Sequence, residues 1–347
     1  MMSETNLSLI NEELRRNCPE KDQYYFGHGK LLISGEYFVL DGSLSLALPT
    51  KLGQSLSVKY SQSYSPTLHW KSFDVEGNCW FDHKFEFWHF NCLSENPPEE
   101  AIFIQKLLQQ VRKQNPHFLR DNVGVEVETR LGFPIFWGLG SSSTLIYNIA
   151  QWAYVSPFEL LFKTHGGSGY DIACAQSDGP ILYRKTGMGP NWSPTNFNPA
   201  FKSNLFFAYL GKKQNSREAI KEYSKKRPID PKIISEISDL TNNFLNAQSL
   251  NEFMVNIEKH EKTVGDSLGI VPIKEKKFSD FPGAIKSLGA WGGDFILIAT
   301  DLSYEEVKKY FSKHELKTVL RYEDLISPII QTDSVDSQKV PSNNLLH

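Results

Sequence analysis

Between Pro134 and Thr144 the chain reads Pro-Ile-Phe-Trp-Gly-Leu-Gly-Ser-Ser-Ser-Thr, so Gly138, Leu139 and Gly140 run straight into Ser141, Ser142 and Ser143. Leu145, Ile146, Ile149, Ala150 and Ala153 then recur at helical spacing, which predicts a helix opening inside the serine run. Glycines let a backbone approach a ligand with no Cβ in the way. The first N–H groups of a helix lack intrahelical partners, and its aligned dipoles favour negative charge there. Together these suit a di- or triphosphate, and a hydroxyl of the same turn can reach a Mg²⁺ ion bridging the phosphates. A Ser-capped helix after an ordinary loop would use the same residues.

Two other segments place charge in apolar company. Tyr24 to Leu40 reads as two strand-like runs broken by glycines, with Lys30 and Glu36 as its only full charges. Both are costly to bury unless paired or put to use, whereas on an edge strand both would face solvent. Further on comes His165-Gly166-Gly167-Ser168-Gly169-Tyr170-Asp171, with Asp171 at the head of an apolar segment. A carboxylate there serves either as a helix N-terminal charge or at a reacting centre. From Gly166 onward the run fails the G-x-S-x-G nucleophile pattern, because Tyr170 takes the last position; a serine hydrolase is disfavoured.

The elements that must position these residues follow from periodicity. Residues 5–17 form a candidate helix outside the catalytic body, and short alternating runs from Leu52 to Phe90 fit antiparallel strands. His69, His83 and His89 in that region meet no metal-ligand spacing and read as packed or surface side chains. A helix is expected over 99–114, a strand over 123–129, and a helix opened by Pro157 to about Lys163. The Pro-, Asn- and Gly-rich stretch 187–200 reads as a crossing between domains. A strand at 205–210, helices near 216–226, 230–248 and 250–266, and a second glycine-rich turn at 284–298 complete the body. From Ser327 the chain is polar and reads as a loose tail.

Composition narrows the class. At 347 residues the chain can bury a sizeable core, and a net charge of −3 gives no general attraction to nucleic acid or to an anionic membrane. No apolar run approaches the roughly 20 residues of a membrane helix, and the residues before Tyr24 do not read as a signal peptide. Cys18, Cys79, Cys92 and Cys174 are scattered without CxxC spacing, which points to free thiols in the cytoplasm and away from zinc.

Three of these segments resemble the motifs of the galactokinase, homoserine kinase, mevalonate kinase and phosphomevalonate kinase superfamily, the GHMP kinases. Gly29-Lys30 through Gly35-Glu36 and Asp41-Gly42 resembles the first motif, Pro134 to Ser142 the phosphate motif P-x-x-x-G-L-G-S-S, and Lys286 to Gly293 the third. The resemblance spans residues 24–300. It implies an α+β, two-domain fold: an N-terminal extension at 1–20, a nucleotide-binding domain at 21–186 with a left-handed β-α-β unit, a ferredoxin-like α/β sandwich at 187–326, and a tail at 327–347. It further implies ATP and Mg²⁺ as cofactors. Pro134, Gly138, Leu139, Gly140, Ser141, Ser142 and Ser143 would wrap the triphosphate, with Ser142 on the metal, and Gly289, Gly292 and Gly293 would close the site. Lys30 and Asp171 would be catalytic, Lys30 beside the transferred phosphoryl and Asp171 facing the acceptor. Glu36, Ser168 and Gly169 would meet the acceptor.

The match has departures. His28 stands where the first motif commonly has Pro, and Trp137 and Trp291 sit in glycine loops where small residues are usual. The position of the family's Mg²⁺-binding Glu is Leu161 here. Gly292-Gly293-Asp294 and the run at 167–171 look more like phosphomevalonate kinases than mevalonate kinases. The expected activity is thus phosphoryl transfer from ATP to phosphomevalonate or mevalonate in isoprenoid precursor synthesis. A phosphorylated acceptor would need extra cations, for which Arg130, Arg184, Lys185 and Lys213 are candidates. Diphosphomevalonate decarboxylase, another GHMP small-molecule kinase and a non-catalytic binding protein of the same fold are the alternatives. A homodimer is compatible with this sequence, which leaves oligomeric state open.

Overall fold

The computed structural model describes residues 23–62, 66–120, 123–212, 216–289, 291 and 294–328. The expected helix at 5–17, the tail from 329 onward, and Lys213, Gly292 and Gly293 lie outside them.

The first half is built on a seven-stranded sheet. Strand β1 (Gln23–Ser34) pairs antiparallel along β2 (Ser45–Gln62), whose other edge takes β6 (Ile181–Thr186) near its start and β5 (Val123–Leu131) over its second half. Outward from β5 lie β3 (Thr67–Phe73), the parallel partner, and β4 (Cys79–Glu86); outward from β6 lies β7 (Gly189–Pro194). Val125, Val127, Leu56, Val58, Leu68 and Trp70 alternate onto one face and pack against helices α1 (Glu99–Gln114), α2 (Ser141–Ala153) and α3 (Pro157–Thr164). Pro157 stands at the first helical position of α3, and Ser156 accepts from the Glu159 N–H at 3.3 Å, the expected N-terminal signals. A one-and-a-half-turn helix, α4 (Tyr170–Ala175), carries Asp171 in its first turn.

Strand β7 corrects one expectation. It falls inside the stretch 187–200 read as a crossing, yet it pairs with β6 from Thr186↔Gly189 to Ile181↔Pro194. An edge strand tolerates Pro190 and Pro194 because only one of its sides needs donors.

The second half has a four-stranded antiparallel sheet ordered β11-β8-β10-β9: β8 (Leu205–Tyr209), β9 (Ala284–Ser287), β10 (Phe295–Ala299) and β11 (Val319–Arg321). Its helices are α5 (Ser216–Ser224), α6 (Pro231–Asn246), α7 (Leu250–Leu268), the short α8 (Ile273–Lys277), α9 (Tyr304–Lys313) and the single turn α10 (Tyr322–Leu325). Phe206, Ala208, Ile296 and Ile298 face a cluster with Val307 and Phe311 of α9. The alternate residues Phe207, Phe295 and Leu297 turn the other way. They join Leu31, Ile33, Leu46 and Leu48 of the first sheet and Phe244 and Phe253 of α6 and α7 in one continuous core.

Candidate active site

Lys30 is aimed by an irregularity in β1. The register with β2 shifts between His28↔Gly53 and Lys30↔Pro49. Gly29 lies inside that shift, where an added Cβ would come within 2.5 Å of Thr50 Oγ1. Such irregularities redirect a side chain. The Lys30 N–H donates to the Leu139 carbonyl at 3.0 Å, which ties the strand to the glycine loop. The Lys30 stem then runs beneath Gly140, where a Cβ would lie 3.2 Å from Lys30 Cγ.

The loop itself starts at Pro134, makes a single 3₁₀ turn over Ile135–Trp137, and passes Gly138 at φ 69°. Helix α2 opens at Ser141 with Gly140 as its N-cap at φ 91° and with no side chain capping it. The Ser-capped alternative is therefore overturned: the backbone conformation at Gly140 is left-handed, which glycine adopts without strain. Within that first turn the Ser143 N–H bonds back to the Gly140 carbonyl at 3.0 Å, and no side chain caps the turn from outside.

Asp171 is brought to the same place by α4, which starts after Gly167 (φ 106°) and Gly169 (φ 97°). Ser143 Oγ donates to Asp171 Oδ2 at 2.5 Å. The Lys30 ammonium lies 5.6 Å from the centre of the Tyr170 ring. Burial pulls the Lys30 pKa down, but Tyr170, Asp171 and Asp294 together hold it above its ordinary value, so the ammonium stays charged. Burial pushes the Tyr170 phenol up to about 12, against the pull of Lys30. Lys30, Glu36, Tyr37, Ser168, Tyr170, Gly289 and Asp294, with the side chains of Leu32, Val39, Leu40, Ala219 and Ile220, enclose a cavity of about 80 Å³.

The structure thus gathers Lys30, Gly140, Ser143 and Asp171, and sets Ser168 and Gly289 on the same cavity. Gly169 packs close to Tyr183, whose hydroxyl donates to the Ser168 carbonyl at 2.5 Å. Glu36 also lines the cavity, but its carboxylate is paired with Lys286. Trp137 and Trp291 are core side chains: Trp137 packs edge-on to Phe295 at 5.4 Å, and Trp291 joins Phe38, Tyr223 and Leu240. His69 pairs with Asp82 at 2.5 Å and His83 with Ser94 at 2.9 Å. Among the described residues no three of His, Cys, Asp and Glu are grouped to hold a metal.

Sequence reasoning gave Asp294 no place in the site. It sits at φ 55°, and its carboxyl group lies so near Gly138 that a Cβ there would be 2.4 Å from Cγ. Its position directly after Gly292-Gly293 was the available signal. Of the cations put forward for a phosphorylated acceptor, Lys213 lies outside the described residues and the other three are elsewhere. Arg130 bonds Glu128 at 3.2 Å and stacks on Phe73, and the Lys185 ammonium donates to the Gly167 carbonyl at 3.1 Å. Neither lines the cavity, nor does Arg184; Lys30 is the one cation of the lining among the described residues.

No family model matches the chain, and no curated protein matches it. Solved structures do. Mevalonate kinase from L. major, in complex with R-mevalonate, is similar at a TM-score of 0.63 and 15% identity, over 88% of this chain and 96% of that one. Streptococcus pneumoniae phosphomevalonate kinase, in complex with phosphomevalonate and AMPPNP, gives 0.63 and 17% over 86% and 99%. Lactococcus lactis galactokinase, complexed with galactose, gives 0.54 and 12% over 88% and 92%. Over chains of matching length, the protein has the fold that these mevalonate, phosphomevalonate and galactose kinases share.

Proposed function

We propose that the protein is an ATP-dependent small-molecule kinase that phosphorylates a hydroxyl of mevalonate or phosphomevalonate. The observation that carries the reading is the convergence of Lys30 and the Ser143–Asp171 pair at the uncapped start of α2. The residues fit a nucleotide's phosphates. Gly138 has no room for a side chain, one at Gly140 would crowd the Lys30 stem, and no side chain caps the first turn. They also fit Mg²⁺, a hard cation that takes oxygen ligands and is held largely by phosphates and water. The Ser142 hydroxyl would hold it from the protein side. When bound, Mg²⁺ would neutralise charge on the phosphate oxygens.

Lys30 supplies fixed positive charge beside the transferred phosphoryl group, where charge spreads over the equatorial oxygens. Asp171 accepts a hydrogen bond from the acceptor hydroxyl, aligns it, and takes its proton as the new O–P bond forms and the bond from the γ-phosphorus to the ADP oxygen breaks, releasing ADP. Ser143 holds Asp171 in place. The apolar walls of the cavity, with Lys30 its one cation among the described residues, favour an acceptor without a second phosphate, while the Gly-Gly-Asp turn favours phosphomevalonate by resemblance.

An ADP-release assay across mevalonate, phosphomevalonate, homoserine and galactose tests the reading. Turnover with one of the first two is the expected result. ADP release no higher than the background hydrolysis of ATP, with all four acceptors, would overturn it. Release of CO₂ from diphosphomevalonate would assign the decarboxylase instead.

A further inference from the structure

The glycine loop has an acid against it as well as a lysine. Asp294 immediately precedes β10, and a Cβ built on Gly138 would lie 2.4 Å from its Oδ2 and 2.7 Å from its Oδ1, so both carboxylate oxygens face the loop. The residue is buried. Its backbone is pinned on both sides: the N–H donates to the Lys212 carbonyl at 2.8 Å, and the carbonyl accepts from the Leu210 N–H at 2.8 Å. Between these bonds it holds φ 55°, a left-handed conformation that is uncommon outside glycine and clusters at ligand clamps. The other acids of the cavity and its neighbourhood are engaged, Asp171 with Ser143 and Glu36 with Lys286. Leu161 is packed into the apolar core of the first half and has no side-chain oxygen to offer.

We propose that Asp294 supplies a carboxylate oxygen to the Mg²⁺ carried by the nucleotide, and so makes binding at the glycine loop conditional on the metal. This rests on the kinase reading and goes beyond it: an acid from the second half of the chain selects the metal-bound nucleotide over the free one. A triphosphate laid along Gly138 to Ser142 brings several negative charges to a place where a buried carboxylate already stands. Like charges so close repel strongly where water is excluded. Lys30 offers one positive charge, and Asp171 and Asp294 both draw on it already. A hard divalent cation reverses the part played by Asp294, from repelling the phosphates to joining them through a shared ion. Mg²⁺ takes one or two carboxylates beside phosphate oxygens and water. Asp294 and the Ser142 hydroxyl meet that need without a wider acidic cluster, and the described residues contain none.

Calorimetry with AMPPNP, in Mg²⁺ and in EDTA, tests this on wild type and on Asp294→Asn, which keeps the shape and tolerates a left-handed backbone. Wild type should bind more tightly with Mg²⁺. In the variant the Mg²⁺ concentration for half-maximal AMPPNP binding should rise by about tenfold or more. Its affinity in EDTA should rise by about threefold or more, because the repelling charge is gone. The gap between the two conditions therefore narrows from both sides. Mn²⁺ in place of Mg²⁺ gives a second readout: its electron paramagnetic resonance spectrum with AMPPNP should differ between wild type and variant, and an unchanged spectrum overturns the proposal. A wild type indifferent to Mg²⁺, or a variant with the wild-type gap, does the same. Tighter binding in both conditions would make Asp294 a plug that the nucleotide displaces, and weaker binding in both would make it purely structural; either result overturns the proposal. Should Asp294→Asn fail to fold, Asp294→Gly, which adopts φ 55° without strain, decides on the same terms. Wild type that binds AMPPNP in neither condition removes the kinase reading and this inference with it, an outcome distinct from a wild type that binds and a variant that matches it.

Discussion

Around Lys30 the charges come from β1, α4 and the turn before β10, half-buried against a loop whose first-turn amides have no side-chain cap. Around Lys286 they come from β9, α7 and the turn after β1, and they are almost wholly buried. Both regions set one lysine among two acids. At Lys30 the balance holds the ammonium charged beside open backbone donors, an arrangement that gains most when an anion arrives. At Lys286 desolvation is the larger effect, and it pushes Glu261 up to about 8 despite the neighbouring ammonium. The same residue types thus leave a charged lysine beside an uncapped helix start in one place, and form a dry strut in the other.

The contrast breaks most directly at Asp171. Asp171→Asn keeps the shape and the Ser143 contact but removes the base, and kcat should fall by about 10²–10⁴-fold. AMPPNP binding measured by calorimetry should survive. Near-normal turnover would remove Asp171 from the chemistry.

Next in size is Gly138→Ala. The residue sits at φ 69°, and the new methyl would press into the Asp294 carboxyl group 2.4 Å away. The left-handed backbone alone costs about 1–2 kcal/mol. The expected result is a raised KM for ATP with a lowered melting temperature; unchanged values would mean that the loop tolerates a side chain and is no cradle.

The dry region is read by pH. Glu261 has its ordinary pKa of 4.5 when unfolded and about 8 when folded, so between those values the folded state holds a proton that the unfolded chain has lost. Stability therefore falls as pH rises through that window. His260, lowered in the fold, acts in the opposite sense below its ordinary 6.5, which leaves pH 6.5 to 8 as the clear interval. Glu36 shares the direction of Glu261. Denaturant melts of Glu261→Gln across that interval should show a shallower slope than wild type, and an identical slope would contradict the assignment.

The smallest effect serves as the reference for both regions. Ser303 and Glu306 form a capping box at the start of α9, remote from either cluster. Ser303→Ala should cost about 1 kcal/mol by urea denaturation and leave kcat alone.

These two regions also differ in how far they could be read from the chain. Gly138, Gly140 and Ser141 to Ser143 announce the loop because backbone geometry and helix entry are local properties, written within a dozen residues. Lys30 and Asp171 stood out as charges beside glycines and apolar runs. Helices α1, α2, α6 and α7 followed from periodicity close to their observed ends. The ionic cluster was not legible. Glu36 and Lys286 are paired only because β9 and the turn after β1 meet in space, and nothing around His260 or Glu261 distinguishes them from an exposed helix face. Asp294 was hidden for a related reason, since its partner surface is a glycine 156 positions earlier in the chain (294 − 138). Strand β7 was missed because its prolines are breakers everywhere except on a sheet edge.

The core that joins Leu31, Ile33 and Leu46 to Phe207, Phe244, Phe253 and Phe295 carries a mechanical consequence. A clamshell motion that parted the two sheets would wet those four phenylalanines at roughly 1.5–3 kcal/mol each, a total comparable with the whole stability of an ordinary domain. The halves therefore stay welded along their common seam.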